Sequence, residues 1–258
     1  MNLGLRFLGC GAAHAAELGC SAAVVERDGT PLLLIDCGAD TLNRHLETYR
    51  DLPRAVFVTH VHMDHVAGLE RLFFRTYFDP ARRGQVAMYA HAALVPHLQA
   101  RLADYPEMVA EGGANFWDAF RLVPCSRGFW HAGLWFDVFA TRHHAPLSSF
   151  GLAVRGAFAY TGDTRPIPEA LAHYAPEPAL IAHDCALQGN PSHSGVDDLE
   201  REYTKEQRRR FVLYHYGGAA EGAALAARGY RVARPGEVLA LPAPVAGAML
   251  HEPAGVSA

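Results

Sequence analysis

Residues 55–69 read Ala55-Val56-Phe57-Val58-Thr59-His60-Val61-His62-Met63-Asp64-His65-Val66-Ala67-Gly68-Leu69. A short apolar run leads into three imidazoles and a carboxylate within positions 60–65. The run has the length and β-branched content of a buried strand. In an extended chain side chains repeat every two residues, so His60 and His62 share a side. Asp64 and His65 then turn toward a second position as a helix begins. Divalent ions of borderline softness take such nitrogen and oxygen donors, and a strand-end loop can aim several of them at one point. A lone histidine is usually just a satisfied polar residue; a cluster this dense reads as a metal site.

The remaining composition sets bounds around that site. With 258 residues, 50% of them hydrophobic and 19% charged, the chain is an ordinary globular one and not a disordered segment. At about 150 residues per domain it holds one or two domains. A net charge of −4 gives no general field for binding polyanions, although a local basic groove is compatible with it. The five cysteines, Cys10, Cys20, Cys37, Cys125 and Cys185, are odd in number and never spaced as CxxC. That spacing argues against a disulfide framework or a zinc ribbon and points to a reducing compartment. No basic leader followed by an apolar run opens the sequence, so a cytoplasmic protein is expected. The longest apolar stretch, Val238 to Leu250, contains Pro242 and Pro244 and is too short to span a bilayer.

Strand-like runs recur at Leu3–Leu8, Ala22–Glu26, Leu32–Asp36, Ala55–Thr59, Val86–Tyr89, Leu134–Thr141, Phe150–Val154, Ala157–Thr161, Ala179–His183 and Phe211–Tyr214. Helical spacing lies between them at Thr41–Tyr49, His65–Phe74, His91–Ala103, Glu169–His173, Val196–Thr204 and Ala219–Ala227. Early strands follow one another closely and later ones alternate with helices, which fits two sheets flanked by helices in one domain. That domain is expected over residues 1–236, with 237–258 as an Ala/Pro-rich C-terminal tail. Residues 105–130 are irregular and read as either a lid or a packing insert.

The HxHxDH string after a strand, followed by Ala-Gly-Leu, resembles the signature of the metallo-β-lactamase superfamily. The resemblance implies an α/β fold, an αββα four-layer sandwich of two mixed β-sheets, with two metals in a cleft at one sheet edge. Phe7-Leu8-Gly9-Cys10-Gly11 and Leu34-Ile35-Asp36-Cys37-Gly38 resemble its glycine-rich first turn and its DCG strand end. Asp36 would orient a ligating histidine. Downstream, Thr141-Arg142-His143-His144 precedes Ser149-Phe150-Gly151, where the family places a ligand; His143 or His144 fills it, and the separation from Gly151 favours His144. Tyr160-Thr161-Gly162-Asp163-Thr164 resembles the GDT element, whose aspartate bridges both metals. His215, ending the run Val212-Leu213-Tyr214, matches the last ligand. The implied sets are His60, His62 and His144 for one ion and Asp64, His65 and His215 for the other, with Asp163 shared.

Asp184 and His193, the latter in Ser192-His193-Ser194, resemble the acid and the His-Ser/Thr step of the transfer-RNA 3′-end processing ribonucleases (RNase Z type) and related phosphodiesterases. Those enzymes usually carry Glu where Asp184 stands. Asp64, Asp184 and His193 are thus the catalytic candidates. The resemblance implies a dinuclear metal-dependent hydrolase in which a metal-bridged hydroxide attacks and His193 assists the leaving group. Two divalent ions are implied; the donors suit zinc first, then manganese or iron. A small-molecule or nucleotide phosphodiester is favoured over nucleic acid, because no Gly/Pro-rich arm of the ribonuclease kind is present. Alternatives are a lactonase or thioesterase on the same site, or a metal-binding sensor or scaffold without turnover. The basic run Lys205–Arg210 and the Arg71/Arg75 face with Phe73, Phe74, Tyr77 and Phe78 read better as solvated surface and core packing than as nucleic-acid contacts. No membrane partner is expected, and homodimers are common among such relatives.

Overall fold

The computed structural model describes residues 2–104, 108–109 and 112–249. In chain order the first strands are β1 (Leu3–Gly9), β2 (Ala22–Arg27), β3 (Thr30–Ile35), β4 (Ala55–Val58) and β5 (Val86–His91). A minimal pair, β6 (Met108–Val109) and β7 (Gly112–Gly113), stands apart from the main sheets. Then come β8 (Phe120–Cys125), β9 (Gly128–His131), β10 (Leu134–Ala140), β11 (Phe150–Val154) and β12 (Phe158–Tyr160). The series ends with β13 (Leu180–Asp184), β14 (Phe211–Tyr214), β15 (Arg231–Val232) and β16 (Val238–Ala240). Helices α1 (Thr41–Tyr49), α2 (Met63–Val66), α3 (Gly68–Tyr77) and α4 (Val95–Leu98) belong to the first half. Helices α5 (Pro168–Tyr174), α6 (Val196–Glu202), α7 (Lys205–Arg208) and α8 (Ala219–Ala227) belong to the second.

Two seven-stranded mixed sheets result, ordered β16-β1-β2-β3-β4-β5-β8 and β15-β14-β13-β12-β11-β10-β9. In the first, the pairs from β16 to β3 are antiparallel and those from β3 to β8 parallel. The second repeats the division: β9 to β12 antiparallel, β12 to β15 parallel. Strand alternation builds the layers. Ala55 and Phe57 of β4 point into a cluster shared with Phe136, Phe150 and Tyr214 of the other sheet. Val56 and Val58 point the other way, under Leu42 of α1 and Leu69, Leu72 and Phe73 of α2–α3. Helices α5, α6 and α8 bury Leu171, Leu199 and Leu225 in the cluster that holds the second sheet. This is the four-layer αββα sandwich that the resemblance implies. Where the sheets meet, the Phe150 N–H donates to the Thr59 carbonyl at 2.9 Å, fastening the start of β11 to the end of β4.

The structure corrects the sequence expectations at the sheet edges. The segment expected as a tail supplies β16, which pairs antiparallel with β1 and buries Leu239. Further on, Val245 N–H donates to the Arg155 carbonyl and Trp135 N–H to that of Ala248. Sheet pairing and main-chain hydrogen bonds therefore continue past residue 236, and of this segment 250–258 lie outside the described residues. Within 105–130, residues 105–107 and 110–111 lie outside them too. The remainder packs as an insert: Phe116 is buried with its ring 5.3 Å from that of Phe73, and β8 and β9 are strands of the two sheets. The expected helix 91–103 is cut into short 3₁₀, α and π turns after β5 takes His91. No described helix is long and apolar enough to cross a membrane.

Replacing Leu239 with Ala tests whether the β16 segment is structural. Loss of this buried side chain should lower the unfolding free energy in urea by about 2–5 kcal/mol; an unchanged midpoint would return the segment to a loose tail.

Candidate metal centre

The carboxyl ends of β3, β4, β10, β12, β13 and β14 converge on one edge of the sandwich; the segment after β4 delivers four polar side chains there, His60, His62, Asp64 and His65, and the others deliver one each. A sheet with parallel strands gathers ligands at its carboxyl ends because the chain leaves every such strand on the same side. Asp36 follows β3 and His215 follows β14, and both sit at positive φ, 62° and 65°. Non-glycine residues rarely adopt that conformation, and here it turns each side chain back into the cleft. Beneath the cleft the chain crosses itself closely. Cys37 N–H donates to the His65 carbonyl at 2.7 Å and Gly68 N–H to the Cys37 carbonyl at 2.8 Å. A Cβ at Gly38 would lie 2.0 Å from the Asp64 carbonyl oxygen, so only glycine fits.

Asp163 is the centre of the arrangement, with 1% exposure. Its Oδ2 lies 3.5 Å from His60 Nε2, 3.4 Å from His65 Nε2 and 3.3 Å from His215 Nε2. His143 Nε2 is 3.8 Å away. Asp64 Oδ2 stands 3.4 Å from His65 Nε2 and 3.6 Å from His215 Nε2. Donor atoms of His60, His62, His143 and Asp163 lie within 4.8 Å of one another, and those of Asp64, His65 and His215 form a second such group. The second group meets the first through Asp163.

This donor set fits divalent cations. Among the described residues, His60 Nε2, His65 Nε2, His215 Nε2 and Asp163 Oδ1 are buried without a hydrogen-bond partner. Each such orphan costs about 1–3 kcal/mol when nothing satisfies it, and all of them face one small volume. The outer ring nitrogens are held by the protein. His65 Nδ1 is 2.8 Å from Asp36 Oδ2, His143 Nδ1 is 2.9 Å from the Ser192 carbonyl, and His60 Nδ1 is 3.0 Å from Thr59 Oγ1. A ring whose Nδ1 is occupied presents Nε2 in a fixed direction.

The field matches that geometry. Despite burial, the charges of His215 and His65 hold the Asp163 carboxyl well below the usual carboxylate range. Asp64 is lowered likewise, against burial, by His215 and His65. Burial keeps His60 and His143 neutral, His143 held down to about 4. The carboxylates push the other way, against burial: Asp163 and Asp36 raise His65, and Asp163 with Asp64 pushes His215 up to about 9. The cleft is a place that draws positive charge.

One expected residue changes. The structure places His143, not His144, with His60, His62 and Asp163. Strand alternation persists beyond the end of β10: Thr141 and His143 are buried, whereas Arg142 and His144 are exposed. His143 Nε2 is 3.2 Å from His62 Nδ1, while the outward-turned His144 places its Nδ1 3.3 Å from Ser192 Oγ. That alternation, continued from Phe139 and Ala140, was the available sequence signal. Asp184 and His193 meet as expected, with His193 Nδ1 2.9 Å from Asp184 Oδ2. The same carboxylate oxygen accepts the Thr164 N–H at 2.8 Å. The His193 ring stacks 4.9 Å from that of His215. The sequence reading missed Thr59, whose N–H and Oγ1 both donate to Asp36, at 2.8 and 2.7 Å. It also missed the Ser192 carbonyl behind His143.

A cavity of about 660 Å³ opens at this centre, lined at one end by His193 and His215 and beyond them by Ala12–His14, Ala186–Gln188 and the start of α8. Neither the basic run nor the Arg71/Arg75 face lines it. Arg210 spends its guanidinium on the Ala175 and Ala179 carbonyls, and Phe73 is buried core.

Comparison with known proteins agrees with the fold. The family described as "Anti-Pycsar protein Apyc1" matches residues 3–239. An Apyc1 protein of Saccharibacillus brassicae is 30% identical over 227 residues, covering 85% of this chain and 92% of that one. A shorter stretch, 26% of the chain, is 45% identical over 73 residues to ribonuclease Z of Pseudomonas putida and covers 23% of that protein. The metallo-β-lactamase fold protein YhfI of Bacillus subtilis superposes with a TM-score of 0.71 at 16% identity, over 93% of this chain and all of its own. The chain therefore belongs to the Apyc1 anti-Pycsar family and has the metallo-β-lactamase fold.

Proposed function

We propose that the chain is a dinuclear phosphodiesterase that opens a small cyclic nucleotide. His60, His62, His143 and Asp163 would hold one cation; Asp64, His65, His215 and the same Asp163 would hold the other. The observation that carries this reading is Asp163 itself, a buried carboxylate facing unpartnered ring nitrogens from both groups. Imidazole and carboxylate donors suit zinc first, with manganese and iron next. Bound cations would supply Lewis acidity, activating water and neutralising charge that develops on the phosphoryl oxygens.

The chain's own residues do the rest. Asp184 Oδ2 accepts from His193 Nδ1, which leaves Nε2 to hand a proton to the departing ribose oxygen. Against its partial burial, the hydrogen bond and charge of Asp184 raise the His193 pKa, so the imidazolium needed for that transfer is favoured. The Thr164 N–H on the same oxygen keeps the carboxylate in place. Asp184, though a methylene shorter than the usual Glu, is in range because it ends β13 directly beside the cleft. Family membership and a cavity of about 660 Å³ support a single small nucleotide over a transfer RNA.

The direct test is conversion of 3′,5′-cyclic nucleotides by metal-loaded protein, followed chromatographically. A linear nucleoside monophosphate is expected; turnover of lactones or thioesters alone would move the reading to the carbonyl hydrolases. Changing His143 to Ala should abolish binding of at least one metal per chain, whereas His144→Ala should keep both, as read by elemental analysis; the reverse pattern would restore His144 as the ligand. His193→Ala should keep its metals yet cut kcat by about 10²–10⁴-fold, and a loss of metal in that variant would make His193 a ligand.

A further inference from the structure

The cavity beside the reaction centre extends well past the atoms that hold phosphate chemistry. Its walls carry the methyl groups of Ala12, Ala13, Ala186, Ala220 and Ala224; beyond His193 and His215, the polar side chains of Asn190 and Glu221 on its lining are engaged by backbone N–H groups, and two more, His14 and Gln188, stand there as well. Both are exposed, and among the described residues neither side chain has a hydrogen-bond partner. An apolar slot with a few polar groups is the usual form of a small-molecule site. Its methyl walls suit the flat face of a heterocycle, and an imidazole and a carboxamide can donate to or accept from the base edge.

One residue holds the slot open at a fixed width. Glu221, in the first turn of α8, accepts from the Leu187 N–H with one oxygen and from the Gly217 N–H with the other. Leu187 belongs to the loop that runs on to His193, and Gly217 lies two residues after His215. A single carboxylate therefore ties together two walls that follow the neighbouring parallel strands β13 and β14. With both oxygens engaged by backbone, it acts on a ligand through the walls and not by contact. Gly217 has its own constraint, since a Cβ there would lie 3.0 Å from His14 Nε2 and 2.6 Å from Glu221 Oε2.

We infer that this cavity is the nucleoside subsite, that the base lies between the alanine walls with its edge toward His14 and Gln188, and that Glu221 is the positioning residue that sets its width. The inference rests on the cyclic-nucleotide reading above. It is tested with Ala220→Phe, which fills the slot from an exposed helix position, and with Glu221→Gln, which puts an amide N–H against a backbone N–H. Each is assayed on a 3′,5′-cyclic nucleotide and on the abasic ribose 3′,5′-cyclic phosphate. Ala220→Phe should lower the preference for the nucleotide over the abasic compound by about ten-fold or more, a loss of about 1.4 kcal/mol of discrimination. Glu221→Gln should raise KM for the nucleotide more than it lowers kcat. An unchanged preference in Ala220→Phe, or a kcat-only effect in Glu221→Gln, would overturn the subsite. Calorimetric binding of adenosine 5′-monophosphate separates the two readings. If wild type opens no cyclic nucleotide but binds the monophosphate, and Ala220→Phe weakens that binding about ten-fold, the subsite stands while the reaction assignment falls. No binding by wild type removes the subsite.

Discussion

A carboxylate with 1% exposure, surrounded by ring nitrogens that nothing among the described residues satisfies, is the constraint on which the molecule turns. Asp163 and the Nε2 atoms of His60, His65 and His215 cannot all be buried cheaply unless positive charge lies among them. Two mixed sheets are needed to assemble the set, because His60 and His65 leave the first sheet and Asp163, His143 and His215 leave the second. The Phe150–Thr59 hydrogen bond and the shared core of Phe57, Phe136 and Tyr214 fix the two edges relative to each other. Asp36, reaching across from β3 to His65, carries the same constraint one layer further out.

The site is layered outward from Asp163. The donors around that carboxylate are suited to metals, the His193–Asp184 pair lies beside them, and the alanine-walled cavity begins beyond His193. Asp184 links the inner levels: one oxygen holds His193 and Thr164, while the other lies 3.5 Å from His215 Nδ1. A change at Asp184 would therefore disturb both the proton transfer proposed for His193 and the orientation of the His215 ring, whereas Glu221 bears only on the outer walls.

The parts of this account that were legible in the sequence are those written in short-range order. His60 to His65 sit side by side in the chain, so their clustering needs no fold to be seen, and the strand before them announces itself by four apolar residues. The distant partners were found through the order of motifs that the resemblance supplies. Between His143 and His144 motif spacing points to the residue that the structure turns outward, and it is the alternation of buried and exposed residues that separates the two. Edge strands were hard to read for a related reason. β16 buries one side chain, Leu239, between two exposed neighbours, and β8 carries Pro124 and a charged Arg121, so neither has the apolar density of a central strand. Thr59, the Ser192 carbonyl and Glu221 act through main-chain groups brought together only by tertiary structure, which leaves no pattern along the chain.

If one aspartate joins two cation sites, anomalous diffraction from crystals of the zinc-loaded protein should show two peaks per chain, one among His60, His62, His143 and Asp163 and one among Asp64, His65, His215 and Asp163. A single peak, or a pair that Asp163 does not touch, would contradict it.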